Sequence, residues 1–476
     1  MGVDDRRRDG VTLRNAYACD MKVGFVTLGC DKNTVDSERY LGALAAYGAT
    51  ATTDLDDAEL IVVNTCGFID AAKKESIDAL VDAGRRKDSG ICRAVVAVGC
   101  MVQRHKGELV EALPEVDLFL GAAETDRLIP ELTSRGLLGA PMFDHPGERI
   151  YAGDVPHIRY LKLSEGCDHG CAFCAIPLMR GKHRSFALGD VVREAQLLEL
   201  QGAREINLVA QDLAHYGRDR RDGVGLPELL DALVDETSVP WIRMLYVYSA
   251  GLTPALLERF ARHERIVKYL DMPIQHGSDA VLARMRRPER AATIRQTVAR
   301  VRDAVPEVAV RTTCIVGFPG ETDDDFARLL ELLEEVQFER VGAFTYSAQD
   351  GTRAAEFADD VPEPVKRERL ERLVELQRGV TAERYERRLG ATATVLVDEA
   401  GQGRLSWQAD DIDGLTYFDG PDGARAGDLV EVRVDEIVDD YDFRVTPLRI
   451  VSRAERPKQG GRRLPLVATT IGSYGK

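Results

Sequence analysis

Tyr160-Leu-Lys-Leu-Ser-Glu-Gly-Cys-Asp-His-Gly-Cys-Ala-Phe-Cys174 is a short apolar run followed by three cysteines spaced C-x₃-C-x₂-C. Cys167, Cys171 and Cys174 lie close enough in sequence for one loop to aim three thiolates at one point. Three ligands are one fewer than a closed structural zinc or iron–sulfur site takes. The triplet fits a 4Fe–4S cluster with one iron left open. It also fits a zinc site completed by His169 or His183. Spacing does not separate the two readings, so the chain on either side has to.

Downstream, from Arg159 to Arg388, apolar strand-like runs alternate with amphipathic helix-like stretches. The strand candidates are Tyr160–Leu163, Ile206–Val209, Ile242–Val247, Val267–Leu270, Val310–Val316 and Val341–Tyr346. Six strand–helix units fall short of the eight of a complete barrel. An incomplete (βα)6, TIM-like barrel over residues 153–388 is therefore expected. Active sites of such folds sit beyond the carboxyl ends of the strands, which puts the cysteine loop at the mouth. Gln211-Asp212, Gln275-His276 and Gly317-Phe-Pro-Gly-Glu321 follow later strands on that same face. The Gly317 run reads as a tight turn, and glycine there also permits close backbone approach. His276 alone discriminates nothing and takes no role. Cys314 reads as core, and Cys19 and Cys92 as incidental.

Upstream, residues 21–135 repeat one strand–helix unit three times. Lys22–Leu28, Leu60–Asn64 and Ala94–Val98 are continuous apolar runs, each followed by a helix-like stretch. Such runs indicate a parallel-sheet α/β domain covered on both faces, here over residues 21–138. Cys30, Cys66 and Cys100 each fall at the carboxyl end of a strand, separated by 36 and 34 residues, about one repeat. A lone cysteine there is ordinarily a small buried residue. Three in register favour a second three-cysteine metal site. Gly139–Val155 is a linker.

The composition sets outer bounds. A chain of 476 residues with 44% apolar and 30% charged residues holds several soluble domains. It has no apolar run of the roughly 18–20 residues a membrane span needs, so no membrane partner is expected. Residues 1–20 carry Arg6-Arg7-Arg8 without a hydrophobic segment, unlike a secretion signal, and read as a disordered extension. A cytoplasmic protein follows, in which nine cysteines argue for metal or redox chemistry over disulfides. The net charge of −16 counts against a phosphate backbone as main partner and suits a basic protein. A charged helix, Pro364–Leu389, leads into short alternating strands over residues 390–453, a small all-β barrel. Gly390–Ser452 holds fourteen Asp and Glu against five Arg and no Lys, the wrong sign for RNA. Asp410, Asp411 and Asp413 are expected to contribute to substrate binding through that acidity. Residues 454–476, with Lys458, Arg462 and Arg463, read as a basic tail.

A cluster with an open iron can hold a small chelating ligand and pass it an electron, and a second could carry sulfur. The Cys167–Cys174 loop and its context, Ser-Glu-Gly-Cys…Ala-Ile-Pro-Leu-Met-Arg-Gly, resemble the S-adenosylmethionine radical signature. With Leu28-Gly-Cys30, Asn64-Thr-Cys66 and Val98-Gly-Cys100, the chain resembles the methylthiotransferase family of radical S-adenosylmethionine enzymes, from about Met21 to Ser452. The last barrel resembles a TRAM domain. Leu245-Tyr-Val-Tyr248 and Tyr269–Gly277 place it nearest to members that modify an aspartate of small-subunit ribosomal protein S-twelve.

The resemblance implies that Cys167, Cys171 and Cys174 ligate the cluster that cleaves S-adenosylmethionine to a hydrogen-abstracting radical. Cys30, Cys66 and Cys100 would ligate an auxiliary 4Fe–4S cluster carrying the sulfur inserted at the aspartate β-carbon. Gln211, Asp212 and Gly317 become candidate S-adenosylmethionine contacts. A low-potential donor of flavodoxin or ferredoxin type and the small ribosomal subunit become expected partners. The rival readings are a tRNA adenosine methylthiotransferase, opposed by the acidic barrel, and a zinc-stabilised ribosome-binding module without catalysis. All six cysteines match the pattern, and residues 1–20 lie outside it.

Overall fold

A computed structural model describes residues 21–142, 149–150, 155–419 and 423–455. The expected extension at 1–20, with Cys19, and the tail beyond residue 455 lie outside the described residues.

Lys22–Thr27 (β1), Thr50–Thr52 (β2), Leu60–Thr65 (β3), Ala94–Gly99 (β4) and Leu118–Gly121 (β5) form a parallel sheet in the order β2-β1-β3-β4-β5. Every residue of β3 and β4 is buried, as central strands covered on both faces require. Helices Asp31–Ala45 and Leu128–Ser134 share a core with one face, through Tyr40, Leu41, Leu128 and Leu132. Helices Asp70–Ser89 and Cys100–Ala112 cover the other, through Leu80, Ala83, Val102 and Leu109. The expected three units gain two short edge strands, β2 and β5. The chain reverses direction across the sheet between β1 and β3, the switch point where such folds bind ligands.

The second sheet contains Ile158–Lys162 (β6), Glu205–Val209 (β9), Trp241–Met244 (β10), Ile266–Asp271 (β11), Ala309–Val316 (β12) and Arg340–Thr345 (β13). Ser164–Glu165 (β7) and Arg184–Ser185 (β8) form a small hairpin around the cysteine loop. The six strands run in the order β13-β12-β11-β10-β9-β6, with parallel pairing throughout. Leu208, Ile242, Met244, Leu270 and Val310 share a core with the connecting helices. The helices thus lie on one face only, the winding of a barrel, here left open at six strands.

The alternate residues of these strands face the other way. Val209, Trp241, Val267, Tyr269 and Ala309 share their core with Val395, Leu405, Trp407 and Phe443 of the C-terminal domain. That domain follows helix Glu363–Glu386. Its strands are Thr392–Glu399 (β14), Gln402–Leu405 (β15), Thr416–Tyr417 (β16), Leu429–Val438 (β17) and Asp442–Ser452 (β18), closed into a barrel. A small closed barrel therefore plugs the inner face of the open one.

The plug is fastened by buried charge. Arg243 Nε donates to Glu205 Oε1 at 2.6 Å, and Arg404 pairs with Glu205 at 2.8 Å and with Asp398 at 2.9 Å. Burial alone would raise the Glu205 carboxyl, but Arg243 and Arg404 more than reverse it. Asp413 accepts from Tyr269 Oη at 2.5 Å, from Arg340 Nε at 3.2 Å and from the Ala409 N–H at 3.0 Å. This revises the acidic-surface expectation. Asp413 is fully buried, and Asp410 lies beside Arg404 and the Tyr160 hydroxyl. Of the three, Asp411 alone is exposed. Reversing Asp413 would break the plug before it changed any docking.

Removing one partner of a buried ion network leaves charge uncompensated, at a cost of about 3–5 kcal/mol. Arg404→Met is expected to lower the urea unfolding midpoint accordingly. A midpoint matching wild type would show that the plug does not depend on this network.

Candidate cluster-binding sites

The first set lies at the switch point. Cys30 precedes helix Asp31–Ala45, and its carbonyl accepts from the Asn33 and Thr34 N–H groups at 2.8 and 3.1 Å. Cys66 follows β3 and is clamped by Ser76. Its N–H donates to Ser76 Oγ, and that hydroxyl donates to its carbonyl, both at 2.9 Å. Cys100 opens the helix after β4. Gly29, with φ +96°, lies so close that a Cβ there would stand 2.9 Å from Cys66 Sγ. Only glycine leaves that space open. Burial pushes the Cys66 thiol up to about 12, with the neighbouring Cys30 and Cys100 adding to the shift. Burial likewise raises Cys100 to about 11.

The second set lies beyond β6 and the Ser164–Glu165 strand. The Cys167 N–H donates to the Gly181 carbonyl at 3.1 Å and the Cys174 N–H to the Cys171 carbonyl at 3.2 Å. The Ala172 N–H, held by the Met285 carbonyl at 2.9 Å, ties the loop to the barrel. The His169 ring stacks on Tyr248 with centroids 4.1 Å apart, and its Nε2 lies 2.7 Å from Asp212 Oδ2. Arg287 lies over the Tyr248 ring at 4.0 Å, with Nη1 3.9 Å from Cys171 Sγ. Burial raises the Cys167 thiol to about 11 and the Cys174 thiol to about 12.

Sulfur spacing bears on the zinc reading. Three thiolates on one zinc, each about 2.3 Å from the metal, must lie within about 4.6 Å of one another. Among the described residues, neither cysteine set forms a group whose donor atoms all lie within 4.8 Å; the one such group is His169, Asp212 and His215. Neither set is arranged as a closed single-ion site, and three thiolates apiece are the donor set that a 4Fe–4S cluster with one open iron would take. The histidines named as zinc ligands are engaged elsewhere, His169 with Asp212 and His183 with Ser185 Oγ at 3.0 Å.

One arginine ties the sets together. Arg180, on the short helix after Cys174, donates to Asn33 Oδ1 at 2.5 Å, Asp36 Oδ2 at 3.0 Å and Glu165 Oε1 at 2.9 Å. Lys162, at the end of β6, pairs with the same Asp36 and with Glu165, the latter at 2.7 Å. Met179 and Ala175 pack against Cys100. The segment after one cysteine set thereby forms a wall of the other.

The other candidates divide. Gln211 lies just beyond the carboxyl end of β9, and its buried Oε1 has no hydrogen-bond partner among the described residues. Asp212 is spent on His169 and on the Ala214 N–H at 2.9 Å. The Gly317 N–H donates to Glu321 Oε2 at 2.7 Å. With φ +71°, Gly317 passes under Lys366, where a Cβ would come within 2.3 Å of that side chain. His276 is buried, its Nδ1 accepting from the Ser278 N–H at 2.9 Å and its Nε2 3.4 Å from Glu321. Cys314 is core, as expected. Sequence reading passed over Arg180 and Arg287, although Arg180 stands in the quoted Ile-Pro-Leu-Met-Arg-Gly context.

A singly wound, open six-stranded barrel with this cysteine loop at its mouth defines a radical S-adenosylmethionine enzyme. Residues 161–333 match the Radical SAM superfamily and residues 22–121 the Uncharacterized protein family UPF0004. The superfamily carries a 4Fe–4S cluster and S-adenosylmethionine. The solved radical S-adenosylmethionine methyltransferase TsrM of Kitasatospora setae shares the fold, with a TM-score of 0.51 at 14% identity over 68% of this chain and 75% of that one. The chain is 45% identical to the ribosomal protein uS12 methylthiotransferase RimO of Anaeromyxobacter sp. (strain K), over 90% of this chain and 94% of the relative. It is 43% identical to that of Geobacter sulfurreducens, over 89% and 97%. The chain belongs to the RimO family of methylthiotransferases.

Ligating thiols must lose their protons, and burial keeps these protonated at neutral pH. Anaerobic loading with iron and sulfide is therefore expected to release protons and to go further at about pH 8.5 than at about pH 6.5. Loading independent of pH, followed by iron content, would contradict the protonated state assigned to these cysteines.

Proposed function

We propose that this chain methylthiolates the β-carbon of an aspartate in ribosomal protein uS12, with Cys167, Cys171 and Cys174 holding one 4Fe–4S cluster and Cys30, Cys66 and Cys100 a second. The observation that carries this reading is the shared frame. Arg180 and Lys162 bind the loops of both cysteine sets into one body, as a reaction joining two centres requires. When bound, the clusters and S-adenosylmethionine supply the electron, the hydrogen-abstracting radical, the sulfur and the methyl group.

The chain's own groups bind, orient and exclude water. Gln211 offers S-adenosylmethionine its open amide oxygen. Asp212 acts through His169, whose ring it orients against Tyr248 beside the cysteine loop. Gly317 holds its turn in place for the cofactor. The open barrel of residues 153–388 provides the mouth, residues 21–138 its partner wall, and the TRAM-like barrel of residues 390–453 closes the inner face. Electrons would come from a flavodoxin or ferredoxin type donor, in the cytoplasm with the small ribosomal subunit. No helix among the described residues is long and apolar enough to cross a membrane.

A tRNA substrate fits less well. The last barrel keeps Glu399, Asp411, Asp419, Asp435, Glu436 and Asp439 exposed, and these repel the phosphates that dominate RNA affinity. Reconstituted protein with S-adenosylmethionine, a strong reductant and small ribosomal subunits is expected to leave a methylthio group on a uS12 aspartate, read by mass spectrometry. Modification found on tRNA alone would overturn the reading. Cys66→Ala is expected to lose about half the iron and sulfide, one 4Fe–4S cluster, and to abolish methylthiolation. Full iron content in that variant would remove the second cluster.

A further inference from the structure

Lys32 stands two residues after Cys30, in the first turn of helix Asp31–Ala45. A lysine there ordinarily turns to solvent, yet this one is only 7% exposed. Its Nζ lies 3.2 Å from the centroid of the Tyr246 ring and 3.1 Å from Asp31 Oδ1. Tyr246 follows β10 in the left-handed region, φ +63°, and its N–H donates to Asp271 Oδ2 at 3.1 Å at the end of β11. The ammonium is thus held over the carboxyl ends of two barrel strands, beside the Cys30 set. Tyr248, two residues further on, stacks on His169 of the other cysteine loop.

The neighbouring buried cations are saturated. Lys162 has Asp36 and Glu165, Arg180 has Asn33, Asp36 and Glu165, and Arg311 has Asp271 at 2.8 Å. Lys32 has one carboxylate among the described residues, and both oxygens of that carboxylate are buried without a hydrogen-bond partner. An ammonium carries three donors, and Asp31 is the one carboxylate beside this one among the described residues. A buried ammonium with donors to spare is stabilised by a ligand that brings an acceptor.

We propose that Lys32 is the subsite for the side-chain carboxylate of the substrate aspartate, holding its β-carbon against the two cysteine sets. This rests on the protein-substrate reading above. A charge-assisted hydrogen bond to the ammonium favours an aspartate. An asparagine brings no charge to it and an adenine no carboxylate. A site built to bond one polar group rejects analogues lacking it far more strongly than an apolar pocket can. Lys32 would therefore select aspartate over asparagine, and a protein loop over a nucleobase, while the Tyr246 face keeps the ammonium from folding away.

The test uses reconstituted full-length protein and two labelled peptides spanning the uS12 site, one with the aspartate and one with asparagine in its place. Wild type is expected to bind the aspartate peptide roughly tenfold or more tightly. Lys32→Met should bring that ratio near one by weakening the aspartate peptide alone, and Lys32→Arg should retain most of it. Iron and sulfide content is measured alongside. Should Lys32→Met lose iron, Lys32→Gln takes its place. A neutral variant with intact clusters and an undiminished preference overturns the inference. So does a wild type that methylthiolates uS12 but binds both peptides equally. A wild type that leaves uS12 unmodified under the ribosome assay refutes the underlying function instead.

Discussion

The centre depends on the pairing of Arg180 and Lys162 with Asp36 and Glu165. Two cations and two carboxylates, all largely buried, come from the first helix of the N-terminal domain, from β6 and from both flanks of the cysteine loop. Buried charges cannot be left unpaired without a penalty of several kcal/mol, so neither domain can slide on the other. Arg180 adds direction to this constraint. Its planar guanidinium has donors at fixed angles, and three acceptors on two domains are placed to meet them. Arg149 repeats the pattern nearby, reaching Glu38 of that helix and Glu194 of the barrel. The two cysteine sets, each adaptable as a loop, are rigid as a pair.

The same economy governs the open barrel. A complete barrel fills its interior with side chains from eight strands. With six, this sheet leaves its inner face exposed, and the closed C-terminal barrel fills it. Apolar packing through Val209, Tyr269, Trp407 and Phe443 supplies most of the contact. Arg243, Arg404 and Asp413 set its orientation. Acidity that looks like a docking surface in composition is thus partly a fastening. Asp410 and Asp413 face inward, whereas Asp411, Asp419 and Glu436 remain outside.

Most of the architecture was legible in the sequence, because long apolar runs at regular spacing have few other readings. All six strands of the central sheet stand where their Val-, Ile- and Leu-rich runs lie. The edge strands of the N-terminal sheet were not legible. Thr50–Thr52 is half-exposed and has no apolar run, and Leu118–Gly121 is four residues long. Both cysteine sets were readable, one from spacing and one from register. The charged residues around them were not, because a count of Asp and Arg cannot tell a solvated charge from a buried pair. Lys32, Lys162 and Arg180 look like surface residues in the sequence, and burial alone reveals them.

Arg180 meets Asn33 across 147 residues and Lys162 meets Asp36 across 126. Contacts so distant along the chain form late, after the loop between them has closed. During synthesis the N-terminal sheet emerges first and folds as a unit, while Asp36 still waits for its cations. The wall that Met179 and Ala175 build against Cys100 is also missing until the barrel begins. The order of assembly is therefore written into the distance between partners. The two cysteine sets meet as one framework only once the barrel has closed onto the sheet that was made before it.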